Sequence, residues 1–138
     1  MITTEDSENT EKGLVECSDE LVGRVIGAAI AVHKELGAVL LESVYEAALA
    51  IELTELGIEA NRQVEIAATY RGHPLGLGFR ADILVAGGLL LELKAVEKLN
   101  DVHLGQVITY LRMLRIKRAL LINFNERLLK NGIRRISI

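Results

Sequence analysis

From Ser18 onward the apolar residues return at helical spacing. Val22, Val25, Ile26, Ala29, Ile30 and Leu36 fall on one stripe, with His33 among them. Ser18 has the side chain of an N-cap, Asp19 and Glu20 suit the positive end of a helix, and Gly37 suits the position just past its end. A second helix is expected from about Leu41 to Leu56, closed by Gly57. The period then changes. Arg62 to Tyr70 alternates polar and apolar through Val64, Ile66 and Ala68, the pattern of a strand with one buried face. Arg71-Gly72-His73-Pro74 reads as a turn, Phe79 to Val85 as a second strand and Leu89 to Val96 as a third, with Gly87-Gly88 turning between them. Asn100 or Asp101 caps a helix that runs to about Arg115. The dense apolar run Ala119 to Phe124 reads as a buried strand, Leu128 to Gly132 as a connector and Ile133 to Ile138 as a short final strand. The order is ααβββαββ. Residues 1–17 have acids but no apolar period, which predicts a disordered tail ahead of one domain over 18–138.

Composition narrows the class. Half of the residues are hydrophobic (50%) and a quarter charged (25%), enough to bury a continuous core. The apolar runs are short and broken by charge, so no membrane span is expected. The acidic start lacks the pattern of a signal peptide, and Cys17, the single cysteine, can form no internal disulfide. A cytoplasmic protein is the expectation.

The net charge of −3 hides an uneven distribution. Residues 1–20 carry seven acids against Lys12 alone, whereas from Arg112 to the end eight bases face only Glu126. A basic C-terminal third points to a polyanionic partner. It is equally what a solvated helix face and aggregation-blocking edge strands would carry.

The candidate chemistry lies on the hairpin from Phe79 to Val96. Glu92 and Lys94 interrupt an apolar strand and, two apart, share a face; on the strand before, Arg80, Asp82 and Leu84 share one face and Phe79, Ala81, Ile83 and Val85 the other. Asp82 joins them only in one register. A two-residue Gly87-Gly88 loop sets Asp82 opposite Leu93, whereas the three-residue loop Ala86-Gly87-Gly88 pairs Val85 with Leu89 and so Asp82 with Glu92. The odd loop is the common type I turn with a bulge at Gly88. It would place the two carboxylates with Cβ atoms about 4.5–5.5 Å apart. Opposed like charges need a counter-ion, which a divalent metal such as Mg²⁺ supplies, with Lys94 beside it to stabilise charge on a phosphate. A plain ion pair of Lys94 with Asp82 or Glu92 is the competing explanation.

Asp82 followed by Glu92-Leu93-Lys94 on the next strand resembles the core of the PD-(D/E)XK nuclease superfamily. Leu36-Gly37, Leu41-Glu42-Ser43-Val44-Tyr45, Phe79-Arg80-Ala81-Asp82, Leu91-Glu92-Leu93-Lys94 and Gln106-Val107-Ile108-Thr109-Tyr110-Leu111 resemble, in order, the family of GxxExxY proteins. Asn123-Phe124-Asn125 and Gly132-Ile133-Arg134-Arg135-Ile136 fit it as well. Two positions depart: Val39 stands where the family's name has glycine, and Ala81 where the superfamily's name has proline. The resemblance implies a restriction-endonuclease-like α/β (α+β) fold, a mixed central sheet flanked by helices. It implies a metal held by Glu42, Asp82 and Glu92, and Gln106 and Tyr110 forming the QxxxY motif of RecB-like nucleases beside it. Asp82, Glu92, Lys94, Gln106 and Tyr110 are thus the catalytic candidates, with Tyr45 packed and its hydroxyl near the site. Glu42 also suits a helix start for dipole reasons alone.

The expected activity is Mg²⁺- or Mn²⁺-dependent phosphodiester hydrolysis with nucleic acid, DNA foremost, as partner. The alternative is an inactive nucleic-acid-binding or regulatory module that keeps the fold. With five aromatics and no tryptophan, base stacking is poorly supported and phosphate contact is the expected mode. The apolar final strand also suggests a homodimer.

Overall fold

The computed structural model describes residues 17–138, so the tail expected at the N-terminus lies, Cys17 apart, outside the described residues. Helix α1 spans Asp19–Leu36; the Ser18 hydroxyl accepts from the Leu21 amide at 3.1 Å, and Gly37 leaves the helix with φ +75°. Helix α2 spans Glu42–Glu55, with Tyr45, Leu49 and Leu53 on its buried stripe. Five strands follow: β1 (Ala60–Tyr70), β2 (His73–Val85), β3 (Leu89–Lys94), β4 (Arg118–Asn123) and β5 (Ile133–Ser137). Helix α3 (Asp101–Leu114) joins β3 to β4, and a short 3₁₀ turn at Leu129–Gly132 precedes β5. The element order is that expected.

The sheet runs β1-β2-β3-β4-β5. Only β3 and β4 are parallel; the other three pairs are antiparallel, as the short connections require. The central strands are buried almost throughout, which is why Leu89-Leu90-Leu91 and Leu120-Leu121-Ile122 read as unbroken apolar runs. On one face α1 and α2 cover a cluster that includes Val25, Leu49, Ile83, Leu91, Ile122 and Phe124. On the other, α3 covers Leu90, Leu121 and Ile136 with Val107 and Leu111. The result is a mixed sheet between helical layers.

Three expectations change. The first hairpin is longer: Arg71 and Gly72 alone form its turn, both with positive φ (+50° and +77°), and Tyr70 pairs directly with His73. Such mirror-image turns match strand twist, so β2 starts at His73 rather than Phe79. Strand β3 stops at Lys94, short of Val96, where the side chain of Asn123 takes over the backbone bonding. Phe79 and Ala81 do not share a layer with Ile83 and Val85: the first two pack with α3, the others with α1 and α2. The change falls at Asp82. Opposite it Gln63 has φ +51°, and the β1–β2 ladder pairs Arg62 with Ile83 and Val64 with Ala81 but skips the residues between.

Candidate metal centre

The β2–β3 ladder settles the register. Val85 pairs with Leu89, Leu84 with Leu90 and Ile83 with Leu91, so the connection is the three-residue loop. Gly87 and Gly88 both have positive φ (+101° and +90°), and the Gly88 amide donates to the Val85 carbonyl at 3.2 Å. This is closer to a type II turn, which needs glycine third, than to the type I turn with a bulge expected.

The next pair in this register is Asp82 and Glu92, and there the backbone ladder ends. The Asp82 amide donates instead to Glu92 Oε2 at 2.8 Å, and the Leu93 amide donates to Asp82 Oδ2 at 2.8 Å. Each carboxylate thus occupies a place that a carbonyl would fill, and the two acids meet where the strands part. Glu92 is 3% exposed. Burial, then the charge of Asp82, push its carboxyl up to about 8, against the lowering effects of the Asp82 amide and Lys94. Asp82 is raised too, first by burial and then by Glu46 and Glu42, while the Leu93 amide and Lys94 oppose the rise.

From the next turn of chain, Lys94 Nζ donates to Gln106 Oε1 at 3.3 Å, and Gln106 Nε2 donates to the Tyr110 hydroxyl at 3.1 Å. Gln106 and Tyr110 lie one turn apart on α3, so the β3–α3–β4 crossover lays both against the face that carries Lys94. Tyr110 packs on Phe79 with ring centroids 5.4 Å apart. Its phenol is raised by burial first and by Glu92 next. The structure therefore brings Asp82, Glu92, Lys94, Gln106 and Tyr110 into one connected group.

Glu42 is placed differently. It opens α2, is exposed, and bears on both carboxyls through its charge. Among the described residues no three His, Cys, Asp or Glu side chains form a group that could hold a metal ion, so the three-carboxylate set is not assembled here. Tyr45 also departs from expectation. Its hydroxyl turns to the loop before α2, donating to the Gly37 carbonyl at 2.6 Å and accepting from the Leu40 amide at 3.2 Å, while its ring stacks on Phe124 at 4.5 Å. His103 caps α3 by accepting from the Asn100 amide, and His33 Nε2 meets the Glu126 carbonyl at 2.7 Å.

The pattern of the PD-(D/E)XK nuclease superfamily matches residues 19–136. The chain belongs to this superfamily. No curated protein and no solved structure matches it. Asp82 on β2 and Glu92 and Lys94 on β3 lie on adjoining strands within the matched span. The pair of acids fits a divalent ion on this chain's own chemistry: two carboxyls, one buried and one half-buried, face each other across the seam, and Mg²⁺ typically takes one or two carboxylates and completes its shell with water.

Sequence reasoning missed Glu46 and gave Asn123 and Asn125 no role beyond the resemblance. Glu46 is 7% exposed and accepts from Arg62 Nε at 3.0 Å and Gln63 Nε2 at 2.7 Å, next to the break opposite Asp82. Its spacing of four from Glu42, two like charges on one helix face, was the available signal. Asn123, fully buried, accepts from the Val96 and Asn125 amides and donates to the Val96 carbonyl, while the Phe124 amide donates to the Lys94 carbonyl at 2.8 Å. These bonds hold the chain that leaves Lys94.

Proposed function

We propose that this nuclease-superfamily chain hydrolyses phosphodiester bonds in DNA with Mg²⁺ as cofactor, Mn²⁺ substituting. The observation that carries the reading is the reciprocal carboxylate–amide arrangement of Asp82 and Glu92, which sets two carboxyls side by side where a divalent ion would take the place of the proton that burial keeps on Glu92. Asp82 and Glu92 would hold the ion, with Glu42 at the start of α2 adding negative potential. A bound ion supplies Lewis-acid polarisation of the phosphate and acidification of water. Lys94 places a cation where negative charge develops on the phosphate. Gln106 fixes the ammonium by accepting from it, and its other end rests on the Tyr110 hydroxyl. The test is Asp82→Ala: Mg²⁺-dependent cleavage of DNA should vanish while the melting transition remains cooperative. Cleavage by the purified variant would refute the assignment.

One observation favours a second reading, a nucleic-acid-binding module without catalysis. Glu42 stands outside a closed ligand set among the described residues. Calorimetric titration with Mg²⁺ and Mn²⁺ separates the two, because the module would bind neither. Membership in the GxxExxY family is supported by Val39, whose φ of +63° is the conformation that a glycine in that motif would adopt freely. The outer edge of β5, a terminal strand of the sheet, is the place where a homodimer would pair.

A further inference from the structure

Apart from the residues of the candidate centre, the fold builds a cleft of about 550 Å³ between the last turns of α1, the loop from Gly37 toward α2, and the segment after β4. Ile30, Leu128 and Leu129 provide its apolar surface, Lys34, Arg127 and Lys130 its charge, and no acidic side chain lines it. The C-terminal dipole of α1 accounts for a cation at Lys34 but not for the two from the opposite wall. None of the three is in an ion pair among the described residues. Leu128 remains 49% exposed, which leaves an apolar surface in water next to the three cations.

The walls are tied together and to the site. His33 joins α1 to the Glu126 carbonyl. Asn125 accepts from the Val39 amide at 3.1 Å and donates to the Val96 carbonyl at 3.3 Å, linking the loop before Glu42 to the turn after Lys94. Ala38, in the cleft wall, and Glu42 are four positions apart, at most about 14 Å of extended chain.

We propose that this cleft is a subsite for one nucleotide of a single-stranded stretch of the substrate. It rests on the nucleic-acid reading above. The base lies on Ile30, Leu128 and Leu129, and the flanking phosphates meet Lys34, Arg127 and Lys130. A ligand with a flat apolar body and anionic ends is what this distribution of charge and hydrocarbon complements, and a nucleotide suits cavities of roughly 300–1,000 Å³. An unpaired base is required, because a paired one cannot present its face to the leucines. With no Phe, Tyr or Trp in the wall and the His33 ring tied to the Glu126 carbonyl, the contact tolerates any base.

The test is fluorescence anisotropy of a labelled single-stranded thymidine oligonucleotide in EDTA. We expect the exposed-residue variant Lys34→Ala/Arg127→Ala/Lys130→Ala to bind at least tenfold more weakly, and the slope of log affinity against log salt to fall by about 2, from about 0.7 per phosphate contact. Leu128→Asp should weaken binding in the same direction. A control, Arg112→Ala/Arg134→Ala/Arg135→Ala, should lose less, and duplex should compete poorly. Unchanged affinity in the first variant, an equal loss in the control, displacement by polyglutamate as effective as by unlabelled oligonucleotide, or no binding by the unaltered chain would each overturn the subsite. Because metal is absent throughout, these outcomes are independent of the Asp82→Ala cleavage test and the metal titration, which decide the catalytic reading.

Discussion

The Asp82 amide donates to the Glu92 carboxylate and the amide after Glu92, that of Leu93, donates to the Asp82 carboxylate, both at 2.8 Å. Two acids are thereby built into the seam between β2 and β3 in place of ordinary ladder bonds. The backbone donors compensate part of the charge, but burial and mutual repulsion prevail, and Glu92 is raised to about 8.

The pH dependence of stability follows with a definite sign. From its ordinary value near 4.5 up to about 8, the folded chain holds a proton on Glu92 that the unfolded chain has released. Metal-free protein should therefore be most stable at the low end of this window and lose stability as pH rises through it, with Asp82 acting in the same direction. Mg²⁺ must displace that proton, so its affinity should rise about tenfold per pH unit below 8 and level off above. Thermal melts in EDTA and calorimetry from pH 6 to 9 check both; a flat melting temperature and a flat affinity would contradict them.

Asp82→Asn separates folding from function. The amide can still accept from Leu93, while the charge that repels Glu92 is gone. At pH 8 without metal the variant should gain stability on the order of 1 kcal/mol, as seen when strained functional sites are relieved. Added Mg²⁺ should no longer raise its denaturation midpoint. A less stable variant, or one that Mg²⁺ still protects, would argue for a purely structural role.

Lys94 and Gln106 should act as one unit. Lys94→Met removes the cation and should lower the cleavage rate by about 10²–10³. Gln106→Leu leaves the cation but frees it from its acceptor, so its loss should be smaller. The double variant should be little worse than Lys94→Met, since contacting groups do not add. Single-turnover rates give the comparison, and additive losses would show the two to be independent.

Glu46 offers a test of the break opposite Asp82. Its carboxylate is the shared acceptor for Arg62 and for Gln63, which sits at φ +51°. Removing a buried charged acceptor costs about 1.5–3 kcal/mol, so Glu46→Ala should lower stability by that amount. Gln63→Gly, which adopts the same backbone freely, should recover part of the loss in the Glu46→Ala background. No recovery would show that Glu46 does not serve to hold Gln63.

The order of elements was legible because each followed a strong local period: a capped apolar stripe for α1, continuous Leu and Ile for β3 and β4. The register was legible too, since only an odd loop before Leu89 lets Asp82 face Glu92. What escaped depended on contacts far apart in sequence. Asn123 and Asn125 bond to Val96 across more than a strand and helix, and nothing at those positions states what they will meet. Phe79 and Ala81 left the layer of Ile83 because of one left-handed residue on the neighbouring strand, Gln63, which has no compositional signal. Glu42, placed by resemblance among the ligands, opens α2 as an exposed residue and acts on Asp82 and Glu92 through its charge.

Val39 marks the clearest conflict between local preference and fold. It is β-branched, 84% exposed, and at φ +63°. The loop holds it there from both sides: its amide donates to Asn125 Oδ1, and the adjoining Leu40 amide and Gly37 carbonyl are fastened to the Tyr45 hydroxyl. A left-handed residue with a Cβ is strained by roughly 1–2 kcal/mol. Glycine would relieve that strain and lose no buried contact, while the greater freedom of the unfolded glycine chain takes back about 0.5–1 kcal/mol. Val39→Gly should thus stabilise the protein by about 0.5–1 kcal/mol, seen as a higher urea midpoint with an unchanged slope. Val39→Ala, which keeps a Cβ but not the branch, should fall between. A lower midpoint for the glycine variant would mean that the valine side chain contributes a contact which its exposure denies.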